Sequence, residues 1–136
     1  MAADPPPGFA VAFRAPYVNH VGPIHQEIKT TPGRMRLGLL VAEVHTNSLG
    51  FMHGGMAATL VDSCMARALH AALQRRAVTL KMSIEYLDTL NLGDWVEAHG
   101  WMVSHDDDIA LTRCELRVGD AVRANGSGVF RLLRRR

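Results

Sequence analysis

A glycine pair and an aspartate, set eight residues apart, are the residues of this chain best placed to do chemistry. Gly54-Gly55 stands immediately before an apolar stretch, and Asp62 lies within it. Residues 56–73, MAATLVDSCMARALHAAL, contain no proline or glycine and are rich in Ala, Leu and Met, so a helix is expected there. Glycines at the start of a helix leave unpaired backbone N–H groups and the positive end of the helix dipole facing outward. Such a tip can hold an anion, or the oxyanion that develops on a carbonyl under attack. An aspartate midway along an apolar helix is costly unless it is paired or used, because burial strips water from its charge. Asn47 and His53 place polar side chains beside the glycines. Ser63 follows Asp62, but it lacks the base and the strained turn that a serine nucleophile needs.

Helix geometry separates the two groups. Eight residues at about 1.5 Å each put Gly54 and Asp62 roughly 12 Å apart along the axis. One chain cannot bring its own Asp62 to its own helix tip. Two chains can, if their helices lie antiparallel across a two-fold axis, and the small Ala57 and Ala58 would let those helices approach. The spacing therefore predicts a homodimer with two composite sites.

The elements that must position these residues follow from periodicity. Residues 1–23, with Pro5, Pro6, Pro7, Pro16 and Pro23, read as an extended lead-in with room for one short helical turn. Residues 24–136 read as a single domain. Strands are expected at Ile24–Thr31 and Arg34–His45, the second alternating Met35, Leu37, Leu39 and Val41, with Pro32-Gly33 between them. The glycine-containing loop Thr46–Gly55 comes next. The helix is apolar nearly all round, which predicts burial on every side. In the following strand, Val78, Leu80, Met82, Ile84 and Tyr86 alternate with Thr79, Lys81, Ser83 and Glu85, the pattern of a half-buried strand with Thr79 on its polar face. Trp95–Ser104, Ile109–Val118 and Ala121–Leu133 complete the set. Together these make an α+β domain whose sheet wraps one central helix.

Composition narrows the function. Among 136 residues, 48% are hydrophobic and 21% charged, the balance of an ordinary globular protein. A net charge of +2, with its excess in Arg131 and the tail Arg134–Arg136, is too small to argue for nucleic acid. No apolar window reaches the length of a membrane span, and Met1–Phe9 lacks the basic start and apolar core of a signal peptide. Cys64 and Cys114 form no CxxC pair and read as reduced packing residues, so a cytoplasmic protein is expected. The histidines show no HxxxH spacing and no cluster with cysteine, and no metal is expected.

The segment HTNSLGFMHGGMAATLVDS, residues 45–63, resembles the HTNxxGxxHGGxxATLxD signature of hotdog-fold thioesterases of the phenylacetate-degradation type. The order of elements, with VTLKMSIEYL after the helix, is similar to that family over residues 24–133. The resemblance implies a hotdog fold and hydrolysis of acyl-CoA or aryl-acyl-CoA thioesters, with coenzyme A as part of the substrate and no separate cofactor. It implies that Asp62 is the general base or nucleophile, that the Gly54 N–H polarises the thioester carbonyl with help from Asn47, and that His53 shapes the loop. Thr79 stands where the family often has a hydroxyl residue that positions the water. Gly55, Lys81, Tyr86, Leu87 and Arg131 are the expected substrate contacts, with Leu49, Phe51 and Met52 lining the acyl pocket. A homodimer is the minimal unit and a homotetramer the expected assembly. Family members often carry a Gly-Arg or Gly-Lys pair near the CoA phosphates, whereas this chain has His105-Asp106-Asp107-Asp108, whose carboxylates would repel them. Either other cations (Lys81, Arg75, Arg131) bind the phosphates, or affinity for CoA is weak, or the carrier is different. Two other readings stand beside hydrolysis: an enoyl-thioester hydratase or dehydratase, and a non-catalytic acyl-CoA-binding module.

Overall fold

The structure, a computed structural model, describes residues 4–11 and 15–134; Met1, Arg135 and Arg136 lie outside them. Among the described residues, seven strands and two helices occur in the order β1 (Phe9–Val11), α1 (Pro16–Val21), β2 (His25–Glu27), β3 (Arg34–Leu40), α2 (Gly54–Leu73), β4 (Ala77–Tyr86), β5 (Trp95–His105), β6 (Ile109–Val118) and β7 (Ala121–Leu132). A 3-10 turn, Glu43–His45, links β3 to the loop before α2. The strands form one sheet in the order β1-β2-β3-β5-β6-β7-β4, with every neighbouring pair antiparallel. The long helix lies across one face of that sheet, which is the hotdog arrangement. Among the described residues no helix is long and apolar enough to cross a membrane.

The inner row of the sheet explains how the helix sits so close. Val96, Ala98, Ala110, Cys114, Leu116, Ala124 and Phe130 are buried beneath it. Glycines fill the tightest places. A Cβ on Gly126 would stand 2.5 Å from Val61 Cγ1, and one on Gly100 would stand 2.8 Å from Cys64 Sγ. From the helix come Leu60, Val61, Cys64, Met65, Ala68 and Leu69, all essentially without solvent exposure. Removing this much apolar surface from water supplies most of the drive to fold, at about 25 cal/mol per Å².

Several local expectations shift. The first expected strand is only His25–Glu27 within its wider range, because Thr31 turns back to bridge Arg34. The second ends at Leu40, and the chain leaves the sheet where Val41 exchanges backbone hydrogen bonds with Gly93 and Asp94. The helix starts two residues earlier than its apolar run, since His53 caps it and Gly54-Gly55 form its first turn. Nor is it buried all round. Ala58, Thr59, Asp62, Ser63 and Ala66 are only partly covered, because one sheet covers one face.

The phase of β4 is the main correction. Thr79 pairs with Phe130 and Lys81 with the adjacent Val129, so Leu80 is an extra residue, a β-bulge. Past the bulge, Met82, Ile84 and Tyr86 pair with Gly128, Gly126 and Ala124 of the buried inner row. Thr79 therefore shares the helix-facing side with Met82, Ile84 and Tyr86, while Lys81, Ser83 and Glu85 face away. The simple alternation read from the sequence had put Thr79 with Lys81, and the bulge reverses that.

Candidate active site

The loop before α2 is held by its own first histidine. His45 is 3% exposed; its Nδ1 accepts from the Ala42 N–H at 2.9 Å, its Nε2 donates to the Val21 carbonyl at 2.5 Å, and its carbonyl accepts the His53 N–H at 2.8 Å. Both ring nitrogens are thus engaged, and the ring ties the loop to the end of α1. Its anchoring role depends on a residue 24 positions away, so spacing within the motif could not reveal it. Asn47 organises the turn that follows, its Oδ1 accepting from Leu49 N–H at 2.9 Å and Phe51 N–H at 3.2 Å. Its side-chain amide is then the part available to donate outward. Leu49 and Phe51 are exposed beside it, whereas Met52 is buried.

At the helix tip the donors divide unequally. The His53 ring accepts the Gly55 N–H at 2.8 Å, and the His53 carbonyl accepts the N–H groups of Met56 at 2.9 Å and Ala57 at 3.1 Å. No described residue accepts from the Gly54 N–H. No acidic residue lies in the first turn to offset the positive end of the dipole. Of the glycine pair, Gly54 offers the free donor, and Gly55 serves the cap. Tyr86, from the end of β4, donates its phenolic hydrogen to the Gly54 carbonyl at 2.7 Å. Behind the tip, Thr59 Oγ1 donates to the Gly55 carbonyl at 3.0 Å and meets the Tyr17 hydroxyl at 2.9 Å, which joins α1 to α2.

Two turns along the helix, Asp62 is half-buried on the incompletely covered face. Thr79 Oγ1 donates to its Oδ1 at 2.7 Å, across the strand face that the bulge supplies. This bond holds the carboxylate itself and leaves Oδ2 with no partner among the described residues. An aligned carboxylate with one open oxygen can take a proton from water or attack a carbonyl.

Other expected contacts are scattered. Lys81 and Arg131 lie on the sheet face away from Asp62, where Lys81 borders a shallow groove of about 280 Å³ with Ser83, Val103, Leu111 and Arg113. Leu87 is exposed just past β4, its N–H donating to the Arg123 carbonyl. Arg75 is occupied by the carbonyls of Leu133 and Asp107. In the acidic turn, the N–H groups of Ile109 and Asp108 donate to Asp106 and hold its carboxyl below the usual carboxylate range. Cys64 beside it, together with burial, raises the Cys114 thiol well above its usual range, so that thiol is a packing group and not a nucleophile.

The model of the thioesterase superfamily matches residues 49–124, more than half of the chain. The human acyl-coenzyme A thioesterase 13 is 32% identical over 91 residues, covering 65% of this chain and 64% of the human protein, so the match spans just under two thirds of that relative. Among solved structures, the conserved protein PA5202 of Pseudomonas aeruginosa superposes with a TM-score of 0.81 at 27% identity, over 88% of this chain and 95% of that one. A variant of the phenylacetic acid degradation protein PaaI of Thermus thermophilus superposes with a TM-score of 0.79 at 26% identity, over 88% of this chain and all of the other. With that family model matched over more than half of its length, the chain belongs to the thioesterase superfamily.

Proposed function

We propose that the protein hydrolyses acyl-CoA or aryl-acyl-CoA thioesters at composite sites shared between two copies of the chain. The observation that carries the reading is the pairing on one helix of an open Gly54 N–H and an Asp62 carboxylate aligned by Thr79. Eight residues of helix keep them roughly 12 Å apart within one chain. An antiparallel second helix, laid on the partly covered face of Ala58, Thr59, Asp62 and Ser63, would set each tip against the other chain's aspartate. Strand β4 supports the same assembly, because it ends the sheet and exposes Val78, Leu80 and Tyr86. A ten-residue edge strand with apolar side chains invites pairing. A tetramer would be two such dimers.

In the proposed reaction the thioester carbonyl oxygen accepts from the Gly54 N–H, with the Asn47 amide as a second donor. Asp62 of the other copy removes a proton from water as the oxygen of that water attacks the carbonyl carbon. The negative charge gathers on the carbonyl oxygen, where the helix tip stabilises it. Collapse of the tetrahedral intermediate breaks the C–S bond, the proton held by Asp62 passes to the departing sulfur, and the CoA thiol and the free acid are released. The name of the human relative, an acyl-coenzyme A thioesterase, supports coenzyme A as the carrier. The cytoplasm is the proposed location.

A thiol-release screen across aryl, short and long acyl-CoA substrates tests this, with Asp62→Asn as control. Hydrolysis by the parent and loss of about a thousandfold or more in the variant is the expected result, in keeping with loss of a group that acts in the chemical step. Full activity in a folded Asp62→Asn protein would remove the aspartate from the mechanism.

A further inference from the structure

We infer that Tyr86 is a positioning residue for the carbonyl-binding tip: its phenol locks the Gly54–Gly55 peptide so that the Gly54 N–H points in one direction. This rests on the thioesterase reading and extends it to a residue that touches no reacting atom.

Two adjacent glycines give the chain more backbone freedom than any other pair. That suits a close approach by substrate but works against a fixed donor. Donors lower a barrier only when they are already aimed at the place where charge will appear. Something outside the glycines must therefore hold them. The Gly54–Gly55 peptide is planar, and a side chain grips each end of it. Tyr86 donates to its carbonyl at 2.7 Å, and the His53 ring accepts its N–H at 2.8 Å. The preceding peptide is held at its carbonyl by the N–H groups of Met56 and Ala57. The Gly54 N–H belongs to this preceding peptide, and the Gly54 Cα joins its plane to the one that Tyr86 grips.

Simple packing does not account for the Tyr86 hydroxyl. In the single chain the residue is 55% exposed, so burial within its own fold does not require its polar end to find a partner. Its place is set by the same bulge that turns Thr79 inward, since both residues lie on the helix-facing side of β4. One strand thus supplies the group that aligns the carboxylate and the group that aligns the tip. In a two-fold assembly these would serve opposite halves of different sites.

The test is Tyr86→Phe, which keeps the ring and deletes the donor. Thiol release at saturating acyl-CoA is expected to fall roughly three- to tenfold, the effect of one neutral hydrogen bond, with KM within about twofold of the parent. Amide hydrogen exchange at Gly55, whose N–H the His53 ring accepts, should quicken in the substrate-free protein, while the melting temperature stays unchanged. Parent-like turnover together with unchanged exchange would overturn the inference. So would a raised KM with turnover intact, which would make Tyr86 a substrate contact. If the parent cleaves no acyl-CoA, the hydrolysis reading alone fails, and the exchange measurement still decides whether Tyr86 holds the tip.

Discussion

Replacing Thr79 with valine tests how the carboxylate is held. Valine keeps the β-branched shape that suits a strand and exchanges only the hydroxyl for a methyl group. The bond it removes is charge-assisted, 2.7 Å from Thr79 Oγ1 to Asp62 Oδ1. Losing a hydrogen bond to a charged group costs about 1.5–3 kcal/mol in buried settings. Asp62 is half-buried and Thr79 exposed in the single chain, so the lower end applies, about 1.5–2 kcal/mol. If the bond matters in the transition state, the barrier rises by that amount, a loss of roughly ten- to thirtyfold in kcat. Thr79→Ser retains the donor and should stay within about threefold of the parent. The assay is continuous thiol release under saturating substrate, with thermal melting to confirm that all three proteins are folded. A valine variant with parental kcat would refute the reasoning. A serine variant that falls as far as the valine one would refute it equally, because the hydroxyl would then not be the active feature.

Two further outcomes follow from the packing around α2 and β2. Gly126→Ala would push a methyl group to within 2.5 Å of Val61 Cγ1, on the helix residue just before Asp62. Overpacking of this kind costs about 1–3 kcal/mol, so the melting temperature should drop by several degrees and turnover should fall with it; an unchanged melt would show that α2 can lift without cost. Burial lowers the pKa of His25 from its ordinary 6.5, with a hydrogen bond to the Gly38 backbone opposing, and its Nδ1 has no partner among the described residues. As pH falls through about 6.5 the unfolded chain takes up this proton before the folded one. Stability is therefore full above that pH and declines below it, by at most about 1.4 kcal/mol per pH unit from this group. Denaturant titrations of parent and His25→Gln should diverge in their pH slopes between about pH 7 and pH 5, and parallel slopes would remove His25 from the account.

Local spacing was enough to identify the helix, the glycine-led tip and the distance from Gly54 to Asp62, because each depends on neighbours along one element. The order of strands after the helix was legible for the same reason: β5, β6 and β7 keep an unbroken period of two through most of their length, and their turns carry Asn91-Leu92-Gly93 and Gly119-Asp120. Three things depended on tertiary structure. The bulge at Leu80 is defined by pairing with Phe130 and Val129, some fifty residues further on, so alternation within β4 assigned Thr79 to the wrong face. Tyr86 reaches Gly54 across 32 positions, and His45 reaches Val21 across 24, contacts that no periodicity encodes. The sidedness of α2 was hidden as well, since an all-apolar pattern cannot say which face its own sheet will cover. Sequence settles what each residue can donate, accept or bury within its own element, while the company it keeps is settled only when distant strands pair and a helix comes to rest on them.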